Sequence, residues 1–120
     1  MTPPSRRAAK HLWDARHAAE LVAQFASGKD LDGYLADAML RSAVERQLGI
    51  VGEALAALRR AEPALAAAIP ELRRVVAFRN ILVHGYAGVD DRLVWEVVER
   101  DLPGLREVLA RLLGAPGEGA

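Results

Sequence analysis

Residues 44–58 read VERQLGIVGEALAAL, and their apolar side chains follow one face of a helix. Steps of four and three residues separate the large apolar positions, which are Val44, Leu48, Val51, Leu55 and Leu58. This spacing is typical of a helix that packs along its length against other helices. Gly49 and Gly52 lie beside this seam, although a glycine inside a helix costs about 1 kcal/mol relative to alanine. We therefore expect a neighbouring element to approach this helix closely.

The rest of the chain has the same helical character, with proline or glycine at the breaks and no alternating strand pattern. The sequence predicts an all-α fold, an antiparallel bundle of four to five helices. Helices are expected over 5–27 and 31–60, from Pro70 onward, and from Asp90 or Asp91 onward with a kink or a new start at Pro103. Residues 1–113 are expected to form one domain, followed by a flexible tail over 114–120.

Composition limits the classes of function that the chain can have. The 120 residues are 52% hydrophobic and 27% charged, which suits one folded domain with a single core. Helices this apolar on a small chain often pair with a second copy, so we expect a homodimer formed through helical faces. The chain has no cysteine, which excludes disulfides, thiolate metal ligands and cysteine nucleophiles. Its formal net charge is zero, so binding to DNA is not expected and any contact with RNA must be local.

The sequence also lacks the apolar segments that direct a chain to a membrane. No apolar run approaches the roughly 20 residues of a membrane span, and the first ten residues, MTPPSRRAAK, lack the apolar stretch of a secretory signal. A cytoplasmic location is therefore predicted.

The stretch with the clearest chemical content is FRNILVHGY, residues 78–86. Arg79 has only aliphatic neighbours at the positions three and four residues away on either side, which is an unusual environment for a guanidinium. Asn80 and His84 are four residues apart and share a helix face, and Tyr86 follows Gly85, a residue that often ends a helix. Arginine, histidine and tyrosine side chains are thus concentrated at the end of one helix.

These residue types could bind and cleave a phosphodiester. Histidine, with an unperturbed pKa of about 6.5, can accept or donate a proton near neutral pH, and arginine can stabilise charge on a phosphoryl oxygen. In RNA the 2′-hydroxyl is a nucleophile already in place, so the pair Arg79 and His84 would suffice without a metal or cofactor. Five residues apart, the two lie about 140° from each other around a helix and could flank a cleft. Arg73 and Arg74, earlier on the same helix, could contact the RNA backbone.

A purely structural interpretation of the same residues is also open. Arg79 could form an ion pair with Glu45 or Glu53, His84 could interact with the helix dipole, and Tyr86 could be a packing residue. Residue spacing alone does not decide between the two interpretations. The two tryptophans, Trp13 and Trp95, are interpreted as core or dimer contacts because they lie among apolar residues.

The spacing Arg79, four residues, His84, one residue, Tyr86 resembles the RX4HXY signature of the HepT-like ribonuclease toxins, which belong to the HEPN superfamily. Segments 34–54, 69–86 and 88–109 are also similar to stretches that occur in that family in the same order. The resemblance covers most of the chain, from the second predicted helix to the last.

The resemblance implies a helical dimer with the motifs of both subunits in one cleft, and metal-independent endoribonuclease activity. By this analogy Arg79 and His84 are catalytic and Asn80 orients the site. Tyr86 would accept AMP from an MntA-like nucleotidyltransferase antitoxin, which would silence the toxin. The chain departs from many relatives in having Gly85 where they have glutamate, which removes a charge next to the site. The alternative is a non-catalytic helical partner that binds a nucleotidyltransferase and presents Tyr86 to it.

Overall fold

The computed structural model describes residues 4–84 and 88–114 of the chain. Within these ranges the chain is helical apart from short connections, and it contains no strand. The described helices are α1 (Arg6–Ala26), α2 (Leu31–Ala36), α3 (Ala38–Ala61), α4 (Pro63–Ala66), α5 (Leu72–His84), α6 (Asp91–Arg100) and α7 (Leu102–Leu113). The prediction of an all-α fold is confirmed for this part of the chain. None of these helices is long and apolar enough to cross a membrane.

Short polar side chains determine where several helices begin. Ser5, Asp30 and Asp90 each accept a hydrogen bond from a backbone N–H in the first turn of the helix that follows. Such a bond satisfies a donor that has no partner within the helix. Gly28, just after α1, has φ +74°, a left-handed conformation that glycine adopts without strain. The predicted first helix over 5–27 and the capping role of Asp90 agree with these boundaries.

One predicted helix is wrong, because residues 31–60 form two helices and not one. Asp37 has φ −116° and ψ 98°, an extended conformation that interrupts the helix. Its carboxylate accepts a hydrogen bond from the backbone N–H of Leu40 at 3.0 Å, so it ends α2 and caps α3. A second break separates α6 from α7 at Asp101, just before Pro103, so the chain begins a new helix there.

The long helix α3 packs against α1 on one side and α5 on the other. Ser5, before α1, donates a hydrogen bond to Glu62, after the end of α3. Arg59 near the end of α3 and Arg73 near the start of α5 line one groove, whereas Arg46 and Val83 line another. Both neighbours of α3 therefore run antiparallel to it. The apolar seam of α3 is buried between them.

The two tryptophans have different environments. Trp95 is 4% exposed and packs against Tyr34, with ring centroids 5.1 Å apart, so its predicted core position is confirmed. Trp13 is 56% exposed and stacks on His17 at 4.8 Å, beside a groove between α1 and α3. A core position for Trp13 is wrong, because residue 13 lies about 100° around the helix from Leu12, which is on the buried stripe.

Candidate functional site

Helix α5 carries most of the residues that the sequence singles out. Its apolar side is buried in the core and consists of Leu72, Val75, Val76 and Phe78. Arg79 comes directly after the buried Phe78 and is half-buried, while Asn80 and His84 are exposed. Apolar residues thus fix α5 against its neighbours, and the polar residues of the motif lie along its edge.

Helices α3 and α5 approach each other closely at Gly52. A methyl group built at position 52 would lie 2.3 Å from Cβ of Arg79, 2.8 Å from its Cγ and 3.2 Å from the carbonyl oxygen of Val75. The first two distances are far too short for non-bonded carbon atoms. Only glycine lets the stem of Arg79 pack here, so the expected close approach is confirmed at Gly52. It does not explain Gly49, where the same construction meets no atom of the described residues within 4 Å.

The side chain of Arg79 lines a groove of about 260 Å³ between α3 and α5. The other lining residues are Glu45, Arg46, Gly49, Ile50, Glu53, Leu82 and Val83. The Nη1 group of Arg79 donates a hydrogen bond to Oδ1 of Asn80 at 3.1 Å. In the described ranges no carboxylate oxygen lies within 4.0 Å of its guanidinium, so the ion pair with Glu45 or Glu53 is not formed. The guanidinium can therefore still bind an anion.

A second set of α5 side chains forms an exposed stripe. Arg73, Ala77, Asn80 and His84 follow one another at steps of four, three and four residues, and all four are exposed. Residues at these steps share one face of a helix. His84 thus lies at the end of a stripe that begins at Arg73, about 16 Å away along the helix axis.

The two proposed catalytic residues do not share one enclosed pocket in a single chain. His84 is not among the residues that line the Arg79 groove. Asn80 connects the two faces, because it contacts Arg79 and belongs to the exposed stripe with His84. Tyr86 and Gly85 lie outside the described residues, so the role of Tyr86 as AMP acceptor stays a prediction.

A charged cluster that sequence reasoning did not identify as functional borders the Arg79 groove. Burial raises the pKa of Glu45, and the negative charge of Asp91 adds to this effect while Arg41 opposes it. Arg41 Nε lies 3.6 Å from Asp91 Oδ2. Burial also raises the pKa of the Tyr34 phenol, whose hydroxyl has no hydrogen-bond partner in the described part of the chain. A raised pKa means that Glu45 keeps its proton to higher pH than an exposed glutamate does. The sequence signal was the spacing of Arg41 and Glu45, four residues apart on α3.

The neighbouring arginines Arg73 and Arg74 have different surroundings. Arg74 Nη2 lies 3.2 Å from Asp101 Oδ2, so its charge is partly compensated. Arg73 is exposed and lines, together with Arg59 and Asn80, a groove of about 620 Å³. Across residues 4–84 and 88–114, no group of three or more histidine, aspartate or glutamate side chains is arranged to hold a metal ion.

The fold and the site define a class of protein, a helical domain in which one helix carries an arginine, an asparagine and a histidine beside two grooves that arginines line. The family model described as Ribonuclease HepT-like matches residues 15–112 of the chain. The chain therefore belongs to the HepT-like ribonuclease family.

Named relatives agree with this assignment. A probable ribonuclease HepT of Thermococcus cleftensis is 33% identical over 102 residues, which cover 85% of this chain and 92% of that protein. A candidate RNase of Methanocaldococcus jannaschii is 33% identical over 96 residues, covering 80% of this chain and 87% of that protein. A third relative, also from Methanocaldococcus jannaschii, is named as a gamma-glutamylcyclotransferase and candidate RNase and is 33% identical over 94 residues. The match covers 78% of this chain and 42% of that relative. No solved structure gives a significant match.

Proposed function

We propose that this protein is a metal-independent endoribonuclease that acts in the cytoplasm. In the proposed reaction the 2′-oxygen of a ribose attacks the adjacent phosphorus, and the bond between phosphorus and the 5′-oxygen of the next nucleotide breaks. One proton leaves the 2′-hydroxyl and one proton is delivered to the 5′-oxygen. The products are a 2′,3′-cyclic phosphate and a 5′-hydroxyl end.

His84 carries the proton transfers, and Arg79 stabilises the negative charge that develops on the phosphoryl oxygens. Asn80 holds the Arg79 guanidinium in place through its side-chain oxygen. The observation that carries the proposal is the environment of Arg79. Its aliphatic stem packs against Gly52, and no carboxylate in the described chain pairs with its guanidinium. The family membership and the names of the relatives support RNA as the substrate.

We further propose that a second copy of the chain completes the site. In one chain Arg79 and His84 lie on adjoining faces, so two motifs that face each other across a dimer would give one cleft with both residue types. The outer face of α3, beside the Arg79 groove, is suited to this contact. At its centre a methyl group built at Gly49 would meet no described atom within 4 Å, and the half-buried Ile50 follows.

The charges on that outer face are self-complementary. Arg46 and Glu53 are both exposed and lie at equal distances along α3 on either side of the point between Gly49 and Ile50. A two-fold axis through that point would place Arg46 opposite Glu53 of the partner subunit, and the reverse pair would form by symmetry. Ile50 would then face the bare backbone at position 49 of the other chain.

The proposed role in the cell is that of the toxin in a type VII-like toxin–antitoxin pair. Its antitoxin is an MntA-like nucleotidyltransferase that transfers AMP from ATP to the hydroxyl of Tyr86 and releases pyrophosphate. Arg73 and Arg74 are proposed to contact the RNA backbone, with Arg73 the stronger candidate because Asp101 lies beside Arg74.

The activity is tested by incubating purified protein with RNA in the presence of excess chelator. Wild type should cut and leave cyclic phosphate ends, and His84→Ala and Arg79→Ala should be slower by about 100-fold or more. Arg92→Ala is the matched control, since Arg92 is an exposed arginine on α6 outside both grooves. A substrate with a 2′-deoxyribose at the cleaved position should resist. If wild type and His84→Ala are equally inert, the non-catalytic partner role becomes the better interpretation, and a requirement for divalent metal contradicts the mechanism.

A further inference from the structure

The basic groove on the other edge of α5 differs from the Arg79 groove in its chemistry. It has a volume of about 620 Å³ and is lined by Arg59, Pro70, Arg73, Arg74, Val76, Ala77 and Asn80. Among the described residues no carboxylate lines it, whereas Glu45 and Glu53 line the Arg79 groove. The groove therefore combines three arginines with an apolar surface.

Two of these arginines have unneutralised charges. Arg59 and Arg73 are exposed, and neither has a carboxylate within 4.0 Å among residues 4–84 and 88–114. They come from different helices, Arg59 from the last turn of α3 and Arg73 from the first turns of α5. An anion between them would be contacted from both sides, which a single surface arginine cannot do.

The basic groove continues along α5 towards the proposed catalytic residue His84. Arg73 begins the exposed stripe that continues through Ala77 and Asn80 to His84. Asn80 Oδ1 accepts the hydrogen bond from Arg79, so the amide nitrogen of Asn80 can still donate to a ligand. A chain of regularly spaced anions along this stripe would meet Arg73 and Arg59 first, then Asn80, and reach His84 at the far end.

We propose that this groove binds the phosphodiester backbone of single-stranded RNA next to the cleaved position, and that Arg59 is a substrate-binding residue opposite Arg73. The inference rests on the proposed function, because it takes RNA as the ligand. Arg59 holds the strand and takes no part in proton transfer. The apolar lining of Pro70, Val76 and Ala77 gives the sugars and bases a surface to lie against. Reading of individual bases is not part of the proposal, since arginine contacts to phosphates carry no sequence information.

The test is binding of a short labelled single-stranded RNA to full-length protein in the His84→Ala background, so that cleavage does not interfere. Binding is measured as a function of salt concentration for Arg59→Gln and for Arg92→Gln, which removes the same charge elsewhere. For single strands each lost phosphate contact should reduce the salt slope by about 0.7. Arg59→Gln should bind several-fold more weakly with a smaller slope, and Arg59→Gln with Arg73→Gln should lose about twice as much slope.

Further measurements separate this role from a structural one. Arg59 also lies in the last turn of α3, where a positive charge favours the helix, so thermal unfolding is recorded for each variant. Arg59→Lys should restore most of the binding, because it restores the charge. In the active protein Arg59→Gln should raise KM and leave kcat unchanged. Inorganic phosphate at constant ionic strength should displace little RNA, because the strand makes several contacts at once.

The proposal is overturned if Arg59→Gln binds RNA like Arg92→Gln with an unchanged salt slope, or if inorganic phosphate displaces the RNA completely. It is also overturned if the wild-type groove binds no RNA. A different result would contradict the proposed function alone. In that case RNA binds with the salt slopes expected for Arg59 and Arg73, but the protein with His84 intact cuts no RNA.

Discussion

Gly49 and Gly52 are three residues apart on one helix and carry the same cost in helix stability, yet they face different surroundings. Gly52 lies at the contact with α5, where a methyl group would lie 2.3 Å from Cβ of Arg79. Gly49 borders the same groove, and a methyl group there would meet no atom within 4 Å in residues 4–84 and 88–114. One glycine is required by the packing of this chain, and the other is not.

This difference separates two parts of the proposed site. Gly52 lets the stem of Arg79 pack against α3, so its role lies within one chain's part of the proposed site. Gly49 leaves bare backbone on the outer face of α3, and no described residue of the chain packs against it. The predictions below test each glycine against the role that its surroundings indicate.

The largest effect is expected for Gly52→Ala. The added methyl group must displace the Arg79 stem or the α5 backbone, and a displacement of about 1 Å can cost about 100-fold in activity. Overpacking should also lower the free energy of unfolding by about 1–3 kcal/mol, more than alanine gains in helix propensity. RNA cleavage rates and chemical denaturation measure the two effects.

The matched control for the unfolding measurement is Gly49→Ala, which adds the same methyl group to the same helix without a clash among the described residues. It is not a control for cleavage, because position 49 also lies on the proposed dimer face. A second variant, Gly52→Ala combined with Arg79→Gly, removes the clashing atoms and should recover part of the lost stability without recovering activity. If Gly52→Ala proves more stable than wild type and equally active, the packing of Arg79 against Gly52 has no functional role.

The next largest effect is expected from charge reversal on the outer face of α3. Arg46→Glu or Glu53→Arg places like charges opposite each other twice in the proposed dimer. Each change should weaken dimerisation by about tenfold or more. Combining both changes in one chain restores opposite charges and should restore the dimer. Sedimentation at several protein concentrations measures the dissociation constant, with Glu107→Arg on α7 as a control of equal charge change.

Two outcomes would contradict the proposed interface. A double variant that dissociates as readily as the single variants would show that the charges are not paired across a two-fold axis. Single variants that dimerise like wild type would place the interface elsewhere. In either case dimerisation would not explain why residue 49 is a glycine.

Most of the fold could be predicted from local signals. Apolar periodicity predicted α1 and the helical character of the residues in α3, and the expected helix start at Asp90 or Asp91 agrees with α6. The break at Asp37 was missed because leucines continue on both sides of it, while the interruption depends on one side chain that bonds to the backbone of Leu40. Helix propensity is judged over a whole segment, whereas this break depends on the hydrogen bond of a single side chain.

The candidate site was predicted less completely. An arginine among aliphatic residues marked Arg79 from the sequence alone, but its contact with Gly52 joins residues 27 positions apart and could not be read from spacing. The same holds for Arg59, which lines a groove with Arg73 only because α3 and α5 run antiparallel. That no carboxylate of the described residues pairs with Arg79 likewise depends on side-chain positions and not on which carboxylates are near in sequence.

A smaller effect is expected for Gly49→Ala in the Arg46→Glu background, where the proposed dimer is weakened. Because a methyl group at position 49 meets no atom of the described residues within 4 Å, the free energy of unfolding should rise by about 0.5–1 kcal/mol, the usual gain of alanine over glycine inside a helix. In the otherwise wild-type chain the same change should weaken the dimer, since the methyl group occupies the space proposed for Ile50 of the partner subunit. A gain in stability with no change in dimerisation would leave Gly49 without a function.

The smallest effect is expected for Glu45→Gln, one helical turn from Gly49 on the same side of α3. Burial raises the pKa of Glu45 in the folded state above its unfolded value of 4.5, so folding favours the protonated form. Below that unfolded pKa the carboxyl is neutral in both states and costs nothing. As the pH rises through the folded pKa, ionisation of the buried group removes stability from the wild type but not from the glutamine variant. The variant should therefore gain stability relative to wild type between pH 4.5 and neutral pH, and the gain should vanish in acid. Denaturation curves across this range measure the difference, and a constant difference at all pH values would show that Glu45 is not the titrating group.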